Sequence, residues 1–129
     1  MSDSQVTYDQ QYYKFSPFAG RWLATSGVMA LAESKQCYWL LDVIASYVHK
    51  LPSIRALDYM LVIDCKLNKT GSGCKFTISH EVNGEQIVVI KQAIGFTTLE
   101  SDIKLWAINE TNGFYDAKCQ TVLLLPEEY

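Results

Sequence analysis

Several things are scarce in this sequence, and each shortage closes a class of function. Only four cysteines and two histidines occur in 129 residues, and Cys37, Cys65, Cys74 and Cys119 form no C-x-x-C pair. Neither a zinc knuckle nor a redox motif is signalled, and no metal is expected. The simpler reading makes these cysteines small buried hydrophobes. A metal set of Cys65, Cys74, Cys119 and His80 would need the fold to gather residues that have no ligand spacing. No apolar run reaches the roughly 18 residues of a membrane-spanning helix. The start, Met1-Ser2-Asp3-Ser4-Gln5, is polar and lacks the apolar stretch of a signal peptide, so the expectation is a cytoplasmic protein. Positive charge is not in excess. The net charge of −3 weighs against generic DNA binding, and only a local basic patch stays open. There is no G-x-S-x-G, P-loop, G-x-G-x-x-G or H-E-x-x-H string. No cofactor is called for, and the reading leans away from an enzyme. Gly71-Ser72-Gly73 is a hairpin turn rather than a phosphate cradle, because no helix follows it.

What is present argues for one folded domain over residues 1–129. Hydrophobic residues make up 49% of the chain and aromatics 12%, too many for a disordered segment. The stretch around which the rest is arranged is Lys35–Lys50. On a helix at about 100° per residue, Cys37, Leu40, Leu41, Ile44, Tyr47 and Val48 make one broad apolar face. Lys35, Asp42, Ser46 and His49 share a narrow polar stripe. Leu51-Pro52 ends the helix, since the residue before proline disfavours the α region. A shorter helix precedes it, capped by Thr25 or Ser26. Its apolar positions Val28, Leu31 and Ala32 point along the second helix's polar stripe. One straight helix would be wet on its buried side, so the spacing predicts a break at Ser34-Lys35-Gln36.

The period then changes to two. Leu57 to Leu67 alternates as a long strand, Asn68–Gly73 turns, and Lys75 to Val82 alternates as a second. Asn83-Gly84 is the strongest hairpin signal in the chain. Ile87-Val88-Val89-Ile90 does not alternate, which predicts a central strand covered on both faces. Strands at Ile103–Ile108 and Thr121–Leu125 follow. Short connections predict an α+β fold. Two N-terminal helices (25–50) would pack on one face of a roughly five-stranded antiparallel meander (57–125), behind an aromatic-rich arm (1–24). The other sheet face would carry Met60, Val62, Trp106 and Ile108, an apolar patch that implies a second copy or another partner.

Candidate binding residues come from the arm. Tyr12, Tyr13 and Trp22 lie near Arg21, and with Arg55 they could hold a nucleotide by stacking and by a phosphate clamp. The alternative is rings packed over the domain or onto another subunit. Asp42 interrupts an apolar helix and is the best single carboxylate, unless it simply faces solvent. His80 falls on the apolar side of its strand, where a hydrogen-bonded core histidine is commoner than a base. A small hydrolase built on Asp42 and His80 is the least favoured reading.

Three strings also carry a resemblance: Gly27-Val28 with Ala30-Leu31-Ala32-Glu33, then Tyr38-Trp39-Leu40-Leu41-Asp42-x-Ile44-Ala45-Ser46, and Leu124-Leu125-Pro126-x-Glu128-Tyr129. The chain resembles an uncharacterised bacterial and phage family known only as a domain of unknown function. In that pattern a small or glycine-containing linker is expected where Ser34-Lys35-Gln36 stands. The resemblance implies no activity. It implies a setting, a small accessory or inhibitor protein of a mobile element with a host protein as its target. Taken together, the residues point to a non-catalytic binding protein that forms a homo-oligomer. Binding of a nucleotide or small molecule is the alternative, and no membrane partner is expected.

Overall fold

Thr25 starts the first helix. Its backbone is extended (φ −73°, ψ 165°), and its hydroxyl accepts from the Val28 amide at 3.2 Å. This satisfies one of the amide groups that the first turn leaves unpaired. Helix α1 (Ser26–Ser34) buries Val28 and Ala32. It ends in a Schellman motif, in which Gln36 N–H donates to Glu33 O and Cys37 N–H to Ala32 O. Gln36 sits at φ 53°, the left-handed conformation that glycine adopts most easily. The predicted break therefore exists, and helix α2 (Tyr38–Val48) starts after it. It buries Leu40, Leu41, Ile44 and Ala45 and exposes Asp42 and Ser46.

The computed structural model describes residues 12–17, 22–48, 50, 60–109 and 121–128. Among the described residues seven strands form one sheet: β1 (Tyr12–Tyr13), β2 (Trp22–Thr25), β3 (Met60–Leu67), β4 (Cys74–Val82), β5 (Glu85–Ile94), β6 (Ile103–Asn109) and β7 (Thr121–Leu124). Their order is β1-β2-β7-β6-β3-β4-β5. All neighbours are antiparallel except β2 and β7, which run parallel. No helix among the described residues is long and apolar enough to cross a membrane.

The expected five-stranded antiparallel meander behind N-terminal helices is corrected on three counts. First, β1 and β2 precede the helices. Four residues of β2 are too few to show alternation, and its partner β7 lies about a hundred residues away, so nothing local marks it as a strand. Second, β6 pairs with β3 rather than with β5. The segment between β5 and β6 crosses back to the far side of β3, anchored on the helical layer. Thr98 Oγ1 donates to Gln36 O and accepts from Trp39 Nε1, both at 2.9 Å, and the Phe96 and Trp39 rings lie 5.3 Å apart. Third, β5 is an edge strand, with Ile87 and Val88 exposed, rather than a central one. The register shifts between Ile78 and Ser79, because Val89 is an extra residue opposite β4. The bulge lets Val89 as well as Ile90 pack against the core, while Val88, opposite Ser79, turns to the open face, so the run does not alternate.

The core lies between the helices and one sheet face. Leu61, Ile63, Leu105, Ala107, Phe76 and Ile78 come from that face, and Leu40 and Ile44 from α2. Tyr47 stacks on Phe76 at 5.9 Å and its hydroxyl meets Gln92 Oε1.

The segment after β7 closes onto the start of α1. After β7, Pro126–Glu128 makes a short 3-10 turn. One oxygen of Glu128, Oε1, accepts from Thr25 Oγ1 and from the Leu125 amide, both at 2.8 Å. The carboxylate thus lies at the N-terminus of α1, where the helix dipole favours negative charge. Gly27 makes room for it: a Cβ there would stand 2.8 Å from Glu128 Cδ and closer still to Oε2.

Candidate binding surface

Alternation gives the second sheet face its chemistry. Along β3, Met60, Val62, Asp64 and Lys66 point away from the helices, and along β6 so do Lys104, Trp106 and Ile108. The register sets Met60 opposite Ile108 and Val62 opposite Trp106. The four residues of the predicted apolar patch are therefore brought together, each half-buried. Val122 and Leu124 of β7 are their neighbours across β6 and are buried at 2% and 5%, so this end of the face is covered within the chain.

Farther along, the face becomes polar. Lys66 stands directly opposite Lys75, and Thr77 opposite Lys91. These residues, with Asp64, Ser79, Gln86 and the exposed Val88, line a groove of about 380 Å³ across β3, β4 and β5. Gln86 Nε2 donates to Ser79 Oγ at 2.9 Å, which fixes the far wall. Asp64 lies at the border and faces Lys104 at 3.9 Å. None of Lys66, Lys75 and Lys91 makes an ion pair among the described residues. Sequence reasoning passed over these lysines. Lys66 and Lys75 lie almost symmetrically about the Asn68–Gly73 turn, so their pairing could have been read there. Lys91 was hidden by the bulge.

The residues proposed from sequence for a ligand are dispersed. Tyr12 and Tyr13 occupy β1 at one edge, 36% and 39% exposed. Four strands separate β1 from β4, which carries His80, roughly 24 Å at about 4.8 Å per step. Trp22 is a core residue at 2% exposure, and its Nε1 has no hydrogen-bond partner. Asp42 faces solvent on α2, whereas His80 is buried at 3% with Nδ1 unpaired, and no hydrogen bond or ion pair joins them. Arg21 and Arg55 lie outside the described residues.

The described thiols, those of Cys37, Cys65 and Cys74, are free and buried, and Cys119 lies outside the described residues. Cys65 Sγ and Cys74 Sγ are 2.9 Å apart, diagonal neighbours on the helix-covered face. Burial, and then the Cys74 contact, push the Cys65 thiol far above the ordinary range, and burial also raises Cys37 against a smaller opposing pull from Lys35. Protonated, enclosed thiols are poor nucleophiles and poor metal ligands. Among the described residues no three or more His, Cys, Asp or Glu side chains are placed to hold a metal ion.

No curated protein and no solved structure matches the chain. A family model does, over residues 4–129, in agreement with the resemblance to a family without an assigned activity. The chain therefore belongs to the family described as a family of unknown function (DUF6876).

Proposed function

We propose that the protein is a non-catalytic binding protein that works as a homo-oligomer, with β5 as its pairing edge. The observation that supports this most is β5 itself. It is ten residues long, ends the sheet, and exposes Ile87 and Val88 at 41% and 52%. Folded proteins generally keep edge strands short, charged or covered, because a bare edge offers a row of unpaired backbone groups. The opposite edge, β1, has two residues. On β5, Glu85, Lys91 and the bulge are the features that discourage pairing. A second copy laid along it would satisfy the edge and cover the two exposed side chains. An accessory or inhibitory role in a mobile element, acting on a host protein, is compatible with this reading.

Native mass spectrometry of the purified chain tests the proposal. A dimer or larger assembly is expected, and Val88→Lys should return it to monomer without lowering the melting temperature. A wild-type monomer over the whole soluble concentration range would refute the reading.

A further inference from the structure

The lysine groove lies on the open sheet face and takes Gln86, Val88 and Lys91 of β5 as its outer wall, so it borders the proposed pairing edge, and it is tested through its lysines rather than through Val88. Three ammonium groups gather on one face of a chain whose net charge is −3. Like charges placed directly opposite across two strands destabilise the pair, and Lys66 and Lys75 are such a pair. Lys91 joins them from the next strand, one step along the face. The single carboxylate beside them, Asp64, is already engaged by Lys104. Side-chain entropy and repulsion should spread these groups apart, yet alternation and register hold all three over the same hollow. Thr77, Ser79 and Gln86 add hydrogen-bonding groups to its floor.

We propose that this groove binds a compact polyphosphate chain, either free or carried by a nucleotide, through Lys66, Lys75 and Lys91. The three lysines span β3 to β5, roughly 10 Å at about 4.8 Å per strand. A single phosphate would leave part of that span unmatched. A long nucleic acid would run past it, onto the Asp64–Lys104 pair at one border and the exposed Glu81 farther along β4. No aromatic ring lines the groove, so the contacts are to phosphate rather than to a base. Lysine suits this role as a mobile point charge that can follow a flexible chain.

Isothermal titration calorimetry of the full chain with sodium tripolyphosphate, and in parallel with ATP, tests the proposal. Saturable binding is expected that weakens as salt rises. The triple variant Lys66→Gln/Lys75→Gln/Lys91→Gln should bind at least about tenfold more weakly. A control, Lys14→Gln/Lys35→Gln/Lys50→Gln, removes equal charge elsewhere and should stay within about twofold. Equal affinity for the two probes identifies the phosphate chain alone as the ligand. Tighter ATP binding that is lost in the groove variant identifies a nucleotide. Absence of saturable binding, equal loss in the control, or ATP binding that survives the groove variant overturns the proposal. A second measurement separates binding from folding. Lys75→Glu should abolish binding and raise the melting temperature by about 1–4 °C, because it removes a like-charge contact. A fall in melting temperature would make Lys75 a structural residue and sink the idea.

Discussion

Gly27 makes a prediction in which the sign of an effect depends on a residue at the other end of the chain. In an ordinary helix interior Gly→Ala stabilises by about 1 kcal/mol, since glycine has more conformational freedom to lose. At Gly27 the new methyl group would occupy the space of the Glu128 carboxyl. The glutamate is flexible, so steric strain is not the main cost. Swinging it away breaks two hydrogen bonds to an ionised acceptor, from Thr25 Oγ1 and the Leu125 amide. Each is worth about 1.5 kcal/mol at the low end, and water recovers part of this at a half-buried site. Losing the favourable position at the helix terminus costs about 0.3–1 kcal/mol more. The sum is a loss of about 2–3 kcal/mol against a gain of about 1, so Gly27→Ala should destabilise the protein by about 1–2 kcal/mol. In a Glu128→Ala background the obstacle is gone, and the same substitution should stabilise by about 1 kcal/mol. Urea unfolding followed by tryptophan fluorescence gives the four free energies of the cycle, and the coupling should come out at about 2–3 kcal/mol. Equal effects in both backgrounds would refute the reasoning. A stabilising Gly27→Ala in the wild type would refute it more sharply, because the carboxylate would then carry no energy.

Two other predictions concern the helix junction and the thiols. Gln36→Gly should stabilise by about 1 kcal/mol in the same urea assay, because φ 53° is costly for a residue with a Cβ. Cys37 and Cys65 are held protonated in the folded chain above the pH near 9 at which they ionise when unfolded. The unfolded state then binds fewer protons than the folded one as pH rises. Stability is thus complete below about pH 9 and falls above it, by up to about 1.4 kcal/mol per pH unit for Cys65, with Cys37 acting in the same direction. Comparing unfolding midpoints at pH 8 and pH 10 for the wild type and Cys65→Ala isolates that share, and an identical pH dependence would count against it.

Much of the fold was legible because it is local. The 3.6-residue period placed α2, the phase conflict between Val28-Leu31-Ala32 and Asp42-Ser46-His49 located the break at Ser34-Lys35-Gln36, and two-residue alternation found β3 and β4. At Asn83-Gly84 both residues have positive φ, as a type I′ turn requires. What failed was whatever depends on distant partners. The parallel match of Trp22–Ala24 to Thr121–Leu123 leaves no trace in the neighbourhood of either segment. The extra residue Val89 is visible only in the pairing with β4. The candidate sites followed the same division. The apolar quartet was readable from alternation in two strands, whereas the lysine groove needed three strands in register. Ranking residues by type favoured aromatics and arginines, and Trp22 proved to be core because it lies on a strand of the sheet rather than on an arm.

The insertion of β7 between β6 and β2 also bears on how the molecule is made. Thr25 and Glu128 touch across a sequence separation of 103 residues. The β3–β4–β5 hairpins are local and can form early, but uniting the sheet is a high-contact-order event, and such events are slow. During translation at about 5–20 residues per second, β2 and α1 wait roughly 5–20 s for the strand that docks them. For that interval the apolar side of α1, with Val28 and Ala32, has only a half-built sheet to pack against. Folding of this chain is therefore paced by its last strand, and its most aggregation-prone moment falls just before β7 arrives.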